Sequence, residues 1–263
     1  MKRDLYFSKP LMNAAGSLGF APDLRGLKDL GGLDRLGAFV TNPFSLRPRL
    51  PTAQPAVIEY PGGFLLHTGL PNPGLKAGLK KYSAKWTRSD LPVIVHLIAD
   101  RPEETQKMVR MLEEIENVMA VELGFAPLLA DDILLLTLEM CLGELPLIFS
   151  LYAEQVLSLG PRLIQEGADA ISIASPRGAL ALTPNPTPPG EGGHGTRRRF
   201  GPPVVPQTLN VVEPAAKLGL PIIGAGGVWT RENVEAMLSA GALAVQVDAA
   251  LWNPASTFLA PTT

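Results

Sequence analysis

The sequence predicts a (β/α)8 barrel, and three observations predict it. Short apolar runs of strand length alternate with amphipathic helical stretches, the pattern of a parallel α/β sheet. Eight such runs can be counted, the number that closes a barrel. The third observation is LPIIGAGGVWTRENVEAMLSAGALAVQVDAAL, Leu220 to Leu251, which reads as strand, glycine turn, helix and strand near the end of a 263-residue chain. In such a barrel a phosphate site lies after strands seven and eight, where this segment falls.

The strands are expected at Leu11–Ala15, Ala38–Thr41, Val93–Leu97, Ala120–Leu123, Leu147–Leu151, Ala170–Ile173, Ile222–Ala225 and Ala244–Val247. Helices are expected at Pro22–Leu30, Gly74–Trp86, Pro102–Glu116, Ala130–Leu142, Ala153–Glu166, Pro206–Leu218 and Thr230–Ala240, the last opened by an N-cap at Thr230 and closed by Gly241. No composition shift marks a second domain, so residues 1–263 read as one unit. Two long loops, at about 42–73 and 175–205, follow the second and sixth strands, at the end of a barrel where sites are built. The second, with PNPTPPGEGGHGTRRRFGPP, reads either as a mobile lid or as a solvated loop, with Arg197 to Arg199 as a surface charge run. After the eighth strand only a tail holding Pro254 and Pro261 follows, so the eighth outer helix is expected to be missing or truncated. The uncovered apolar seam would then suit a homo-oligomer or a partner subunit.

Bulk properties narrow the function. A net charge of −2 gives no electrostatic case for nucleic acid. One cysteine excludes an intrachain disulfide framework and points to a reducing compartment. No apolar h-region follows Lys2 and Arg3, and no apolar run is long enough to span a membrane, so the cytoplasm is the expected location.

Several residues carry possible chemistry. Gly226 and Gly227 put no Cβ between the backbone and a ligand, and N–H groups at such a turn suit a phosphate. His96 and Glu122 end neighbouring strands. If both point inward they form either an acid–base pair or a satisfied core histidine. Tyr152 and Glu154 follow the fifth strand, and His67 and His194 lie on the long loops. Three scattered histidines and one cysteine give no metal-ligand spacing, so no metal is expected. Cys141 sits on an amphipathic helix and reads as packing rather than as a nucleophile.

Four segments together resemble the dihydroorotate dehydrogenase family of FMN-dependent barrels: PLMNAAG (Pro10–Gly16), GLPNPG (Gly69–Gly74), FGPPVVPQTLNVV (Phe200–Val212) and the GAGGVWTRENV…GALAVQV run. The resemblance implies an FMN oxidoreductase of pyrimidine biosynthesis acting on a small-molecule ligand. It places the cofactor at Ala14, Ala15, Gly16, Ser150, Ser175, Gly201, Ala225, Gly226, Gly227 and Ala249. With no iron–sulfur cysteine spacing, an iron–sulfur relay would belong to another chain.

The chain departs from the family at its reactive positions. The lysine after the second strand is Asn42, and the lysine on the fifth strand is Ser150, which stabilises charge on a reduced flavin poorly. The family asparagines fall on Leu66, on Gly124–Leu129 and on Ala174, the general base on Pro127, and a glycine pair on Arg197 and Arg198. The Gly-Thr of the eighth strand is Asp248-Ala249. Two unit charges ~5 Å apart cost ~3 kcal/mol at an effective dielectric near 20, so an ionised Asp248 facing the site would oppose a phosphate unless Arg231 turns toward it. The candidate catalytic residues are therefore Asn42, Ser150, His96 and Glu122, in a degenerate site where the family reaction is not expected. Two readings stand: a divergent FMN oxidoreductase, or a non-catalytic partner or regulatory subunit binding a phosphate-bearing ligand.

Overall fold

The structure is a computed structural model that describes residues 3–22, 36–52, 57–127, 129–178 and 197–252. In chain order the elements are β1 (Leu11–Asn13), β2 (Phe39–Val40), β3 (Val57–Tyr60), β4 (Gly63–Leu66), α1 (Leu75–Thr87), β5 (Val93–Ile98), α2 (Pro102–Glu113), β6 (Val118–Gly124), α3 (Asp131–Cys141), β7 (Leu147–Leu151), α4 (Ala153–Gln165), β8 (Ala170–Ile173), β9 (Arg177–Gly178), β10 (Arg197–Phe200), α5 (Val205–Lys217), β11 (Ile222–Ala225), α6 (Arg231–Ser239) and β12 (Ala244–Val247). The helix expected at Pro22–Leu30, the central part of the second long loop with His194, and the tail in which an eighth outer helix is at issue lie outside the described residues.

Eight strands pair in parallel in the order β1-β12-β11-β8-β7-β6-β5-β2. The remaining seam closes by a parallel bridge, Met12 to Ala38. Asn13 completes it with its side chain: Nδ2 donates to the Val40 carbonyl at 2.7 Å and Oδ1 accepts from the Val40 N–H at 2.9 Å. The result is the expected (β/α)8 barrel.

Each strand is buried on both faces, which is why it reads as a near-continuous apolar run. Outward residues such as Val95, Leu97, Val121, Leu123 and Phe149 pack against Met108, Leu112, Leu134 and Leu138 of α2 and α3. Inward residues form a separate apolar plug low in the barrel, with Met12, Ile94, Ile148 and Ile223 among small neighbours Ala38, Ala120, Ala170 and Ala244. The helices start as their sequences dictate. α2 has Pro102 in its first turn with Glu103 and Glu104, and α6 opens on a capping box between Thr230 and Asn233.

The described parts of the two long segments hold strands. They supply β3, β4, β10 and β9 to a four-stranded antiparallel sheet in that order, separate from the barrel sheet. Arg198 pairs with Leu66 on one side and Arg177 on the other. The reading of Arg197–Arg199 as a surface charge run gives way here. The alternation of this short strand becomes visible only beside partners far away in sequence. Phe200 stacks on Phe64 with ring centroids 5.2 Å apart, and Trp252, 6.5 Å from Phe64, donates from Nε1 to the Ser17 carbonyl on the barrel rim.

Asn13→Ala leaves a buried N–H and a buried carbonyl of Val40 without partners. It is expected to destabilise the protein by about 3 kcal/mol, measured by urea unfolding with the slope unchanged.

Candidate functional site

The barrel interior turns polar one layer above the apolar plug. Alternation along β5 and β6 points His96 and Glu122 inward, and the register sets them side by side. The Glu122 carboxylate, 1% exposed, accepts from His96 Nδ1 at 2.8 Å, Ser172 Oγ at 2.6 Å and Gln246 Nε2 at 2.8 Å. Burial by itself would raise its pKa. The hydrogen bonds and the charge interaction with His96, joined by Ser172 and Gln246, outweigh burial and hold the carboxyl below its ordinary value. Because an ionised carboxylate only accepts, the His96 Nδ1 carries the proton and Nε2 is the face left for other partners. That face lies against Gly124, where any Cβ would collide with Nε2.

Above this layer the barrel opens into two cavities that share Ala15, His96, Gly124, Phe125, Arg198 and Asp248. The upper, of about 280 Å3, reaches to the rim beneath the antiparallel sheet. The lower lies over Glu122 and Gln246 and is also lined by Ala14, Ser150, Ser175, Ala225 and Gly226. Gly16 lines the upper one, with Leu66, His67 and Pro127. Gly201, Gly227 and Ala249 line neither. Asn42 is turned away: its Oδ1 accepts from the Gly19 N–H at 3.1 Å. Tyr152 borders the lower cavity and its hydroxyl accepts from Arg177 Nε at 2.9 Å; Glu154 opens α4. Cys141 is buried and its thiol is pushed up to about 12, chiefly by burial, which makes it a packing residue.

The glycine turn follows β11. Gly226 and Gly227 have φ values of 101° and 75°, in the left-handed region. A Cβ on Gly227 would stand 2.8 Å from the Val205 N and 2.9 Å from the Gly201 carbonyl oxygen, so the chain entering α5 packs directly against the turn. Asn233 Oδ1 already accepts from the N–H groups of Trp229 and Thr230, so the mouth of α6 is filled by its own cap. Among the described residues no acceptor is bonded to the buried N–H of Gly226 or Gly227. A buried N–H without a partner is open to an external acceptor. Asp248 faces this region. It is buried, it lines both cavities, and its Oδ1 accepts from the Ala249 N–H. Burial raises its pKa to about 6 against the opposing pull of that N–H. Arg231 lines neither cavity.

The comparisons with known proteins agree with this architecture. A family model described as dihydroorotate dehydrogenase matches residues 3–125, and one described as nitronate monooxygenase matches residues 167–254. The chain is 30% identical to the catalytic subunit of dihydroorotate dehydrogenase B (NAD(+)) from Thermodesulfovibrio yellowstonii, over 97% of this chain and 88% of that protein. The chain belongs to the dihydroorotate dehydrogenase family. Proteins of the same name from Pelobacter propionicus and Bacillus caldolyticus are 29% and 28% identical, over 94% and 98% of this chain and 84% and 85% of theirs.

Within this member of the dihydroorotate dehydrogenase family, the structure brings together His96, Glu122, Ser150, Ser175 and the glycine turn around one mouth, and leaves Asn42 outside it. Sequence reasoning missed two cavity arginines, Arg49 and Arg177, and saw Arg198 as a replacement at a family glycine without giving it a role; all three line the upper cavity. No helix among the described residues is long and apolar enough to cross a membrane, and no cluster of three metal-ligating side chains occurs among them.

Two outcomes follow from the buried carboxyls. Glu122 is more acidic folded than unfolded, so it stabilises the fold above the ordinary value of 4.5, and that contribution fades as pH falls below it. Glu122→Gln should cost about 3 kcal/mol at pH 7 and flatten the acid limb of a melting-temperature profile. Asp248 has the opposite sign. Its penalty grows as pH rises from 3.8 through about 6 and is complete above that. Asp248→Asn should therefore gain about 2 kcal/mol at pH 8 and little at pH 4 in thermal melts across that range.

Proposed function

We propose that the chain is a flavin-dependent oxidoreductase barrel that holds FMN by its phosphate and does not oxidise dihydroorotate by the family mechanism. The observation that carries this reading is the amide of Gly226, which lines the lower cavity and has no acceptor among the described residues, so that it can take an external anion. The residues present fit the phosphate, with two adjustments. The Ala249 amide is taken by Asp248, and Asp248 binds a proton when a phosphate arrives. Ala14, Ala15, Gly16, Ser150, Ser175 and Ala225 put small side chains on the cavity walls. Two family models with redox names, a dehydrogenase and a monooxygenase, support the same class.

When bound, FMN supplies two-electron acceptance from the substrate. The protein supplies position and proton control. Glu122 fixes the tautomer of His96 and thereby aims Nε2 at the mouth, where it can hold a proton. Pro127 lines the cavity without a titratable group, and Leu66 and Ala174 offer no side-chain hydrogen bond. A substrate recognised by an amide-rich site would therefore be left unpaired here. The relatives' name, a catalytic subunit, supports a partner chain, and a cytoplasmic setting fits that assembly. The alternative, a non-catalytic partner subunit, is favoured by one observation: no lysine lines either cavity among the described residues.

The test is the visible spectrum of the purified protein before and after adding FMN, then anaerobic addition of dihydroorotate. We expect a bound flavin that dihydroorotate does not bleach. Rapid bleaching overturns the loss of the family reaction, and no binding on addition overturns the flavin reading in favour of the partner subunit.

A further inference from the structure

Among the described residues the two cavities share three titratable side chains, His96, Arg198 and Asp248. An arginine keeps its proton and cannot serve as a base. Asp248 is turned to the Ala249 N–H. His96 is left. Its Nδ1 is occupied by Glu122 at 2.8 Å, and among the described residues no hydrogen bond reaches Nε2. The backbone of the residue is fixed on both sides: its N–H donates to Thr41 Oγ1 at 3.1 Å, and its carbonyl accepts from the Phe44 N–H at 2.8 Å. Gly124 stands beside Nε2 without a side chain, so the nitrogen is not covered from β6. An imidazole held by a carboxylate at one nitrogen and open to a cavity at the other is the arrangement of a general base. The loop after β6 offers no rival, because Pro127 has no titratable group.

We infer that His96 is a catalytic base on the barrel wall, acting on a small uncharged ketone whose C–H lies next to the carbonyl. The C–H bond breaks and an Nε2–H bond forms. The electron pair of the C–H bond passes into the carbonyl, which becomes an enolate. Arg198 lines both cavities with His96 and makes no ion pair among the described residues, so its guanidinium supplies the donors for the enolate oxygen. Glu122 is a positioning residue: it holds the tautomer of His96 and balances the imidazolium that forms. Return of the proton from Nε2 to carbon restores the ketone, so the step needs neither oxidant nor cofactor. The walls select the substrate class. Leu66, Ile98, Phe125 and Phe200 suit an apolar carbon frame, and Leu66, Pro127 and Ala174 give no side-chain acceptor for an amide N–H, which a ketone lacks. This inference names a base and a substrate class for the site proposed above; it rests on that reading for any redox step, while the proton transfer itself stands without flavin.

The experiment is exchange of the α-hydrogens of cyclohexanone in D2O at pH 8, followed by proton NMR with the full chain, with FMN binding followed in parallel by flavin fluorescence. The protein is expected to speed exchange at least about a hundredfold over buffer, and His96→Gln, whose amide can still donate to Glu122, to lose about that factor. Gly124→Ala, which keeps the imidazole and its carboxylate but covers Nε2, should be as slow. Arg198→Gln should lose about a hundredfold as well. If the variants fail to fold, the nitrogen-15 spectrum of the wild type decides: a protonated Nδ1 and a bare Nε2 at His96 support the base, and a proton on Nε2 overturns it. Exchange no faster than buffer, or unchanged exchange in His96→Gln, overturns it too. FMN binding without exchange defeats the base alone; exchange without FMN binding defeats the flavin reading alone.

Discussion

The carboxylate of Glu122 is the interaction on which the rest of this structure depends. It sits on the barrel axis and gathers donors from three other strands: His96 from β5, Ser172 from β8 and Gln246 from β12. A buried charge costs several kcal/mol unless its lone pairs are filled, and here three donors fill them. The network therefore fixes which residues face inward on four strands at once. It also marks the boundary between the apolar plug below and the reactive mouth above.

That boundary separates the residues that hold the barrel together from those that line its mouth. Barrel stability comes from the apolar layers, from helix packing on the outer strand faces and from the Asn13 seam, all below or outside the mouth. Above Glu122 the cavity walls carry Ser150, Leu66, Pro127 and Ala174, and positive charge enters the mouth from the antiparallel sheet. Arg198 illustrates the physical consequence. Burial pushes its guanidinium below the ordinary value, Tyr152 and Glu122 resist that shift, and Arg177 adds to it. The charge persists because an arginine is very weakly acidic.

The glycine turn shows a second trade. Asn233 accepts from the Trp229 and Thr230 amides at the mouth of α6, while the amides of Gly226 and Gly227 have no acceptor among the described residues. Asp248 supplies a carboxylate at the neighbouring Ala249 amide, and the local charge balance then depends on its protonation.

Much of this was legible in the chain itself. Eight apolar runs, the Thr230 cap, the glycine turn and the inward pairing of His96 with Glu122 all follow from local pattern, because strand period and capping are properties of consecutive residues. The sequence by itself thus determined the barrel, its layers and the place of its mouth. Only the tertiary structure decided what fills that mouth. The run Arg197–Phe200 has no meaning as a strand until Gly63–Leu66 and Arg177–Gly178 flank it, and Asn42 looks available until Gly19 claims its side chain. These are contacts between residues far apart in the chain, and their direction is set by register and packing, which no local pattern encodes.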